Sequence, residues 1–563
     1  MSGKLDIFLC LFVLSSSLVY VRFKPVEVKA PNGYPLHNLD SGLNYTTIQE
    51  AIDAAETLDG HTILVDEGTY YEHLVVNKSL SLIGEDRFST IIDGNCTGNV
   101  IIITANNVKI TGFTVQRSGK VWTIDNRSYG ICFQWGISGS NVSYNVITDN
   151  LKGIWLYNSN ANTISGNNIT NNVNEGIVLD FSSNDNNVYG NTITNNRVGI
   201  GGWNSSTNSI YGNDITNNEG GVGLIYFSNN NSVYGNNITN NENGIVFEQC
   251  LDNSIYENNI RANDYDSIGL YESSLNNTIY ENNIRDSNDS GITLVNSNTN
   301  NVYENNITNN HKGVKIWFSS NNNVYGNNIT NNEMGLDVEF SSNNNMHHNN
   351  FVDNTHQVSI IGPGYANFWD NGLEGNYWSD YNRTDANHDG IGDTPRIIDA
   401  NNTDNHPLMG EFHNYHITHI EPDFALTLIS NSTIPYFDVV VLIEHPATRI
   451  ILFNVTGETG YGFCRLCIPK TLMTPPYTVT IDNGQTAILH YNETLVDNST
   501  HRWIYFAYLH SEHQVEIIPE FPSFLMLPIF MIATLLTVIV YRRKHLKIVW
   551  FNFCFVNDIV IQM

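Results

Sequence analysis

Between residues 141 and 350 the chain writes one phrase ten times, and NNVYGNNITNNEMGLDVEFSSN is a representative copy. An asparagine two positions after a tyrosine column marks each copy: Asn145, Asn167, Asn191, Asn213, Asn236, Asn258, Asn282, Asn305, Asn327 and Asn349. Successive marks lie 22 to 24 residues apart. Self-similarity at this period means a solenoid, in which each repeat buries its apolar face only by stacking on its neighbours. Helical solenoids are excluded: no window carries a 3.6-residue period, and Asn and Gly, poor helix formers, fill every copy. Each copy holds two alternating runs, 324–329 and 336–340 in one instance, divided by Asn/Gly/Ser turns, which predicts strands. Leucine-rich repeats share the period but need several Leu per copy, and these copies have one or two. The expectation is an all-β parallel β-helix of about twelve coils over 40–410, with the asparagine column as an internal amide ladder. At ~1 kcal/mol net per side-chain hydrogen bond, ten amides in register are scaffold rather than site.

Flanking segments complete the plan. Residues 47–58 form an amphipathic helix with Ile48, Ala51, Ile52 and Ala55 on its apolar face, suited to cap the open end of the coil. From 413 to 517 the repeat stops, and alternating runs at 439–443, 450–455, 477–481 and 503–508 predict a small β-sandwich. Residues 1–30 read as a secretory signal, with one Lys before an apolar run and Val28 and Ala30 at the −3 and −1 positions. Residues 523–541 are apolar, and Arg542, Arg543, Lys544 and Lys547 follow at once. Nineteen such residues reach ~28 Å as a helix, so a transmembrane helix with a cytoplasmic tail over 542–563 is expected. The bulk is then displayed at the cell surface, anchored in the membrane, and is expected to be monomeric.

Composition narrows the partners. Against 26 Lys+Arg stand 56 Asp+Glu, a net charge of −30, which works against nucleic acid because phosphate binding needs clustered cations. The balance suits cations or neutral sugars. Seven cysteines at irregular spacing, two of them in the terminal segments, make no disulfide framework. Cys464 and Cys467 stand three apart on a strand and so point to opposite faces. Sequons at Asn168, Asn237, Asn306 and Asn328 are read as spellings of the ladder, and glycosylation is more credible at Asn431, Asn454, Asn492 and Asn498.

TIQEAIDAA, IGED, TIIDG, the repeats and the closing FWDNGLEGNYWSDYNRTDANHDGIGDTPRIIDANNTDNHPLM together resemble a NosD-type right-handed parallel β-helix protein over about residues 40–410. The resemblance implies a pectate-lyase-like fold and either copper-linked accessory work or carbohydrate binding and sugar hydrolysis. The segment Pro519-Glu520-Phe521-Pro522 before an apolar span resembles the C-terminal sorting segments of archaeal surface proteins.

Aligning the second strand of each copy on its Gly gives an outward column four residues on: Tyr157, Asp180, Trp203, Tyr226, Glu248, Tyr271, Val295, Trp317 and Glu339. Rings stack on sugar C–H faces and acids accept hydroxyl hydrogens, so the column is a candidate platform for extracellular polysaccharide. A solvated face rich in strand-forming aromatics would give the same pattern. Lys315, Asp337 and Glu339 form the candidate catalytic set, a polysaccharide lyase or glycoside hydrolase if an enzyme at all. In DANHDGIGD, Asp385, Asn387, Asp389, the Ile391 carbonyl and Asp393 take calcium-loop positions 1, 3, 5, 7 and 9, while Arg396 stands where a bidentate Glu would close the loop. Copper has a weaker candidate in Met346, His347, His348 and His356, with His347 in the tyrosine column and so facing away from His348. His413, His416 and His419 do not converge on a strand. The functional expectation is a surface polysaccharide-binding protein; the rivals are a structural or adhesive envelope protein and a copper accessory protein.

Overall fold

The computed structural model describes residues 34–120, 128–362, 364–441 and 449–520. The signal at 1–30, the span at 523–541 and the tail lie outside the described residues. Among the described residues, no helix is long and apolar enough to cross a membrane.

Three long sheets of 15, 14 and 13 strands, parallel apart from Leu36–Asn38, which pairs antiparallel with both its neighbours in the first, form the three faces of a solenoid of about thirteen turns, of the right-handed type. Each turn gives one strand to each face, as in Asn323–Tyr325, Asn328–Thr330 and Met334–Glu339. The two predicted runs are therefore three strands. Gly326 takes φ +66° and Asn327 turns inward, so the chain bends in the middle of 324–329. Inside, Val324, Ile329, Leu336 and Val338 are fully buried, and their counterparts in every turn stack into one continuous core.

Asparagine ladders fill the corners. Asn236 Nδ2 donates to Asn258 Oδ1 (3.0 Å) and to the Ile210 carbonyl one turn back (3.0 Å). Its Oδ1 accepts the Asn213 main-chain N–H at 3.0 Å. This is the expected ladder, and two more run beside it. One passes through Asn172, Asn196, Asn218 and Asn241, the other through Asn186, Asn208, Asn231 and Asn253. The sequon asparagines are not ladder members: each stands one residue on, outside the second face, where Asn328 donates to Asn306 (3.0 Å). On the outside of the first face, Tyr189, Tyr211, Tyr234, Tyr256, Tyr280, Tyr303 and Tyr325 stack with centroids 4.8–5.1 Å apart.

The N-terminal helix is shorter than predicted. It spans Ile48–Asp53, with Thr47 accepting the Glu50 N–H, and ends where Ala54 turns extended; Ile48, Ala51 and Ile52 join the solenoid core.

Nine antiparallel strands between Glu411 and Pro519 form sheets of five and four around Leu426, Val439, Phe453, Leu466 and Phe506. The five-stranded sheet is joined to the last turns through Ile391, Leu408, Phe412, Phe463 and Tyr505. Glu374 is the polar centre of that contact. It accepts Arg465 Nε (2.7 Å), Trp503 Nε1 (3.0 Å) and His348 Nε2 (3.0 Å). Burial alone would raise its carboxyl, but His348 and Arg465 outweigh that and hold it at about 2.

Candidate functional site

The third face carries the longest strands, and its outer surface holds the predicted column. Strand pairing puts Tyr157, Asp180, Trp203, Ile225, Glu248, Tyr271, Val295, Trp317 and Glu339 in one register. Tyr226 is the correction. Four residues after Gly221 stands Ile225, not Tyr226, and pairing places Ile225 in the column and Tyr226 one residue on, in the bend after the strand, at φ +49°. Its ring still meets Trp203, at 5.2 Å. Tyr271 also departs from an upright platform. Its ring lies down over Gly269, where a Cβ would collide with it, and its hydroxyl donates to Asp266.

The upper half of this face is a trough of about 410 Å³. Its floor is the outward column Val178, Gly201 and Gly223. A Cβ on either glycine would meet nothing closer than 3.6 Å, so packing does not demand them; they leave the floor open. Tyr129, Phe181 and Trp203 are the rings that line it; Trp203 is 46% exposed. They belong to one continuous row, in which Tyr129 stacks on Trp155 (4.3 Å), Trp155 on Tyr157 (4.9 Å), Tyr157 meets Phe181 edge to face (5.2 Å) and Phe181 lies near parallel to Trp203 (6.0 Å). Trp155 Nε1 donates to Asp180 Oδ2 (2.8 Å), which holds that carboxylate at the rim. Across the floor, Lys152 and Glu175 pair at 3.1 Å. Glu175 and Asp180 bracket one strand, about 16 Å apart between Cα atoms at strand rise. Carboxyls on Cα atoms this far apart do not form the close pair, about 5–9.5 Å, that glycosidases use.

The lower half brings Lys315, Trp317, Asp337 and Glu339 onto adjacent strands, as the spacing predicted. Their side chains are committed locally. Asp337 is 4% exposed and accepts Lys312 Nζ at 2.6 Å, and Lys315 Nζ sits 5.1 Å over the Trp317 ring. Sequence reasoning passed over Asp266, which accepts Thr293 Oγ1 (2.8 Å) and the Tyr271 hydroxyl; burial pushes its carboxyl up. It also passed over Tyr129, Lys152, Trp155 and Glu175. The available signal was two successive glycines at an outward position where other turns carry Val246, Thr293, Lys315 or Asp337.

In the 385–393 loop, Asp385 accepts the Asp389 and Gly390 N–H groups (3.0 and 2.8 Å), Asp389 accepts Ile391 N–H (2.8 Å), and Asp393 accepts Ala386 N–H (2.7 Å). Asn387 donates to Asp389 (3.1 Å). Arg465 reaches in from the sandwich to the Asp389 carbonyl (2.9 Å), so the loop belongs to the contact between the two parts.

The soft-metal set does not assemble. Met346 is buried in the solenoid core, and His356 lies out on the third face. His347 takes the tyrosine column as expected, yet His348 meets it edge to face at 4.8 Å. The reason is the φ +59° of His348, which breaks strand alternation. His348 is itself held by Glu374 and by stacking on Phe412 at 4.1 Å. Burial depresses His347 and His413 to about 4. Among the described residues, the convergent metal-type donors are Glu281, Glu304 and His416, which offer oxygen and imidazole without sulfur.

Fold and trough define a parallel β-solenoid with a ring-lined groove on its third face. Two overlapping stretches, 57–243 and 197–383, match the family described as periplasmic copper-binding protein (NosD), and together they cover more than half of the chain. The chain belongs to the NosD family. A cell surface glycoprotein of Methanothermus fervidus is 34% identical over 121 residues, 21% of this chain; the match takes in 18% of that protein's length. Among solved structures, the Dettilon tailspike protein aligns over 81% of this chain and 87% of its own, with TM-score 0.40 and 12% identity. The A-module of a mannuronan C-5 epimerase from Azotobacter vinelandii aligns over 58% of this chain and 97% of its own, with TM-score 0.39 and 16% identity.

Proposed function

We propose that this is a cell-surface protein that holds extracellular polysaccharide along the outside of its third face. The observation that carries the reading is the glycine-floored trough lined by Tyr129, Phe181 and Trp203. A sugar ring on that floor would have these aromatic rings beside it, with Asp180, Glu175 and Lys152 for its hydroxyls. Glu248, Tyr226, Trp317 and Glu339 extend the same surface for a longer chain. Lys315, Asp337 and Glu339 are proposed to act in binding, since Asp337 is spent on Lys312. The similarity to a surface glycoprotein and the family's periplasmic description support a location outside the cytoplasmic membrane. We assign anchoring to 523–541 and closure of the first coil to the helix Ile48–Asp53.

The test is a glycan array with the soluble region 31–515, followed by Trp203→Ala and Gly201→Val. Both variants should fold normally and lose binding. A fold-competent wild-type protein that binds no glycan would leave the structural or adhesive reading in its place. Calcium at Asp385, Asn387, Asp389, Ile391 and Asp393 is proposed as a structural ion; an unchanged melting temperature on adding calcium to chelator-stripped protein would remove it. The copper reading rests on the family's description, and the described residues give it no convergent sulfur-bearing set. Cu(I) titration of the same soluble region separates it from the glycan reading.

A further inference from the structure

The tyrosine stack on the first face has an open end. Tyr189 stacks on Tyr211, but in the three preceding turns the same register position holds Ser165, Ser143 and Thr111. Three successive rungs thus lack a ring, and a cleft of about 430 Å³ stands in their place, a size that suits a small ligand. The ring of Tyr189 closes one end. Tyr144 lies along one side, over Gly166, where a Cβ would stand 3.1 Å from its ring. Lys109 and Asn141 line the other side.

The polar groups of this cleft are unspent. Ser143 and Ser165 are 4% and 6% exposed and line the cleft, with hydroxyl oxygens that are not enclosed. Asn141 Oδ1 is enclosed and has no hydrogen-bond partner among the described residues. Enclosed amides of a folded protein are ordinarily paired, so this one, beside two hydroxyls open to the cleft, suits a polar ligand. Lys109 supplies a cation to which the described residues offer no carboxylate within ion-pair distance. The net charge of −30 is screened beyond about 8 Å at physiological salt, so this local cation sets the preference.

We infer that this cleft is a second saccharide site, independent of the third-face trough, and that it takes an acidic pyranose, a uronic-acid residue. The sugar ring continues the stack one rung beyond Tyr189, at the ~4.8 Å spacing of parallel strands. Its hydroxyls meet Ser143, Ser165 and Asn141, and its carboxylate meets Lys109.

Oligogalacturonate and its methyl ester, in which each carboxylate becomes an uncharged ester on the same sugar ring, test this on the soluble region 31–515 by isothermal titration. The free acid should bind at least tenfold more tightly than the ester, and Lys109→Ala, a change at an exposed side chain, should erase that difference. Ser165→Tyr adds the ring that most later turns already carry at this position; it should fold, raise the melting temperature and block binding by filling the cleft. Trp203→Ala should leave this binding intact, which keeps the two sites apart. No binding of oligogalacturonate, equal binding of acid and ester, binding indifferent to Ser165→Tyr, or its complete loss in Trp203→Ala would each overturn the inference.

Discussion

Replacing Asn236 by alanine removes one rung from the middle of an internal ladder, and its cost can be worked from the bonds lost. The Asn213 main-chain N–H, which donates to Asn236 Oδ1 at 3.0 Å, is left buried without an acceptor, at about 1–3 kcal/mol. The bonds from Asn236 Nδ2 to Asn258 Oδ1 and to the Ile210 carbonyl are lost as well, at ~1 kcal/mol net each. The expected total is about 4 kcal/mol. Asn306→Ala is the control, because Asn306 makes the same kind of amide contact (3.1 Å to Asn283) on the exposed surface; it should cost under ~1 kcal/mol. Urea unfolding of the two variants measures the difference, and hydrogen exchange at the Asn213 amide localises it. Asn236→Asp sharpens the comparison. It keeps the acceptor but sets a charge beside Asn258 Oδ1, so it should be worse than alanine. Equal costs for Asn236→Ala and Asn306→Ala would refute the argument that ladder amides matter because they are enclosed.

Three further outcomes follow from the structure. Glu374 sits at about 2 in the folded protein against an ordinary 4.5, so its stabilisation is complete above pH 4.5 and drains away as pH falls toward 2. That loss is on the order of 3 kcal/mol, and the acid-unfolding curve of Glu374→Gln should lack it. Burial, then the neighbouring phenols, raises Tyr211, Tyr256, Tyr280 and Tyr303 of the stack, with Tyr303 at about 12; absorbance at 295 nm should show late ionisation, and stability should fall as pH climbs from 10 to 12. On the third face, Val295→Ala should leave glycan binding unchanged where Trp203→Ala weakens it, both read by titration against a glycan found on the array.

The period, the parallel faces and the first asparagine ladder were legible because each turn repeats the same residues at the same offsets. The other two ladders were hidden in Asn-rich stretches where adjacent asparagines point to opposite faces, as Asn327 and Asn328 do. The trough was hidden for a different reason. Its floor is an absence of side chains at Gly201 and Gly223, and part of its lining, Tyr129 and Lys152, comes from turns where the phrase is least regular. Backbone handedness defeated one local reading: His348 adopts positive φ, which strand alternation does not anticipate, whereas Tyr226 was displaced by a one-residue slip in the alignment. Conversely, the chemistry of Asp337 was overread, because sequence spacing located the carboxylate but not the ammonium of Lys312 that claims it.

The ladders also have a direction. In the first ladder every bond from one side-chain amide to another runs toward the next turn, Asn145 to Asn167 and so on to Asn349 and Asn376, while the same Nδ2 groups reach back only to main-chain carbonyls. A chain emerging from the ribosome therefore ends, at each stage, in a turn whose N–H groups still wait for the next one. Growth is one-way, like that of a polar filament, and the advancing tip is rich in donors. What stops it is a set of oxygen acceptors: Gln357 takes Asn354 Nδ2, Asp399 takes Asn402 Nδ2, and Asp404 takes the Asn376 N–H. A chain cut before this terminus would present a bare tip able to recruit the first turn of another copy, so the closing segment guards against end-to-end polymerisation.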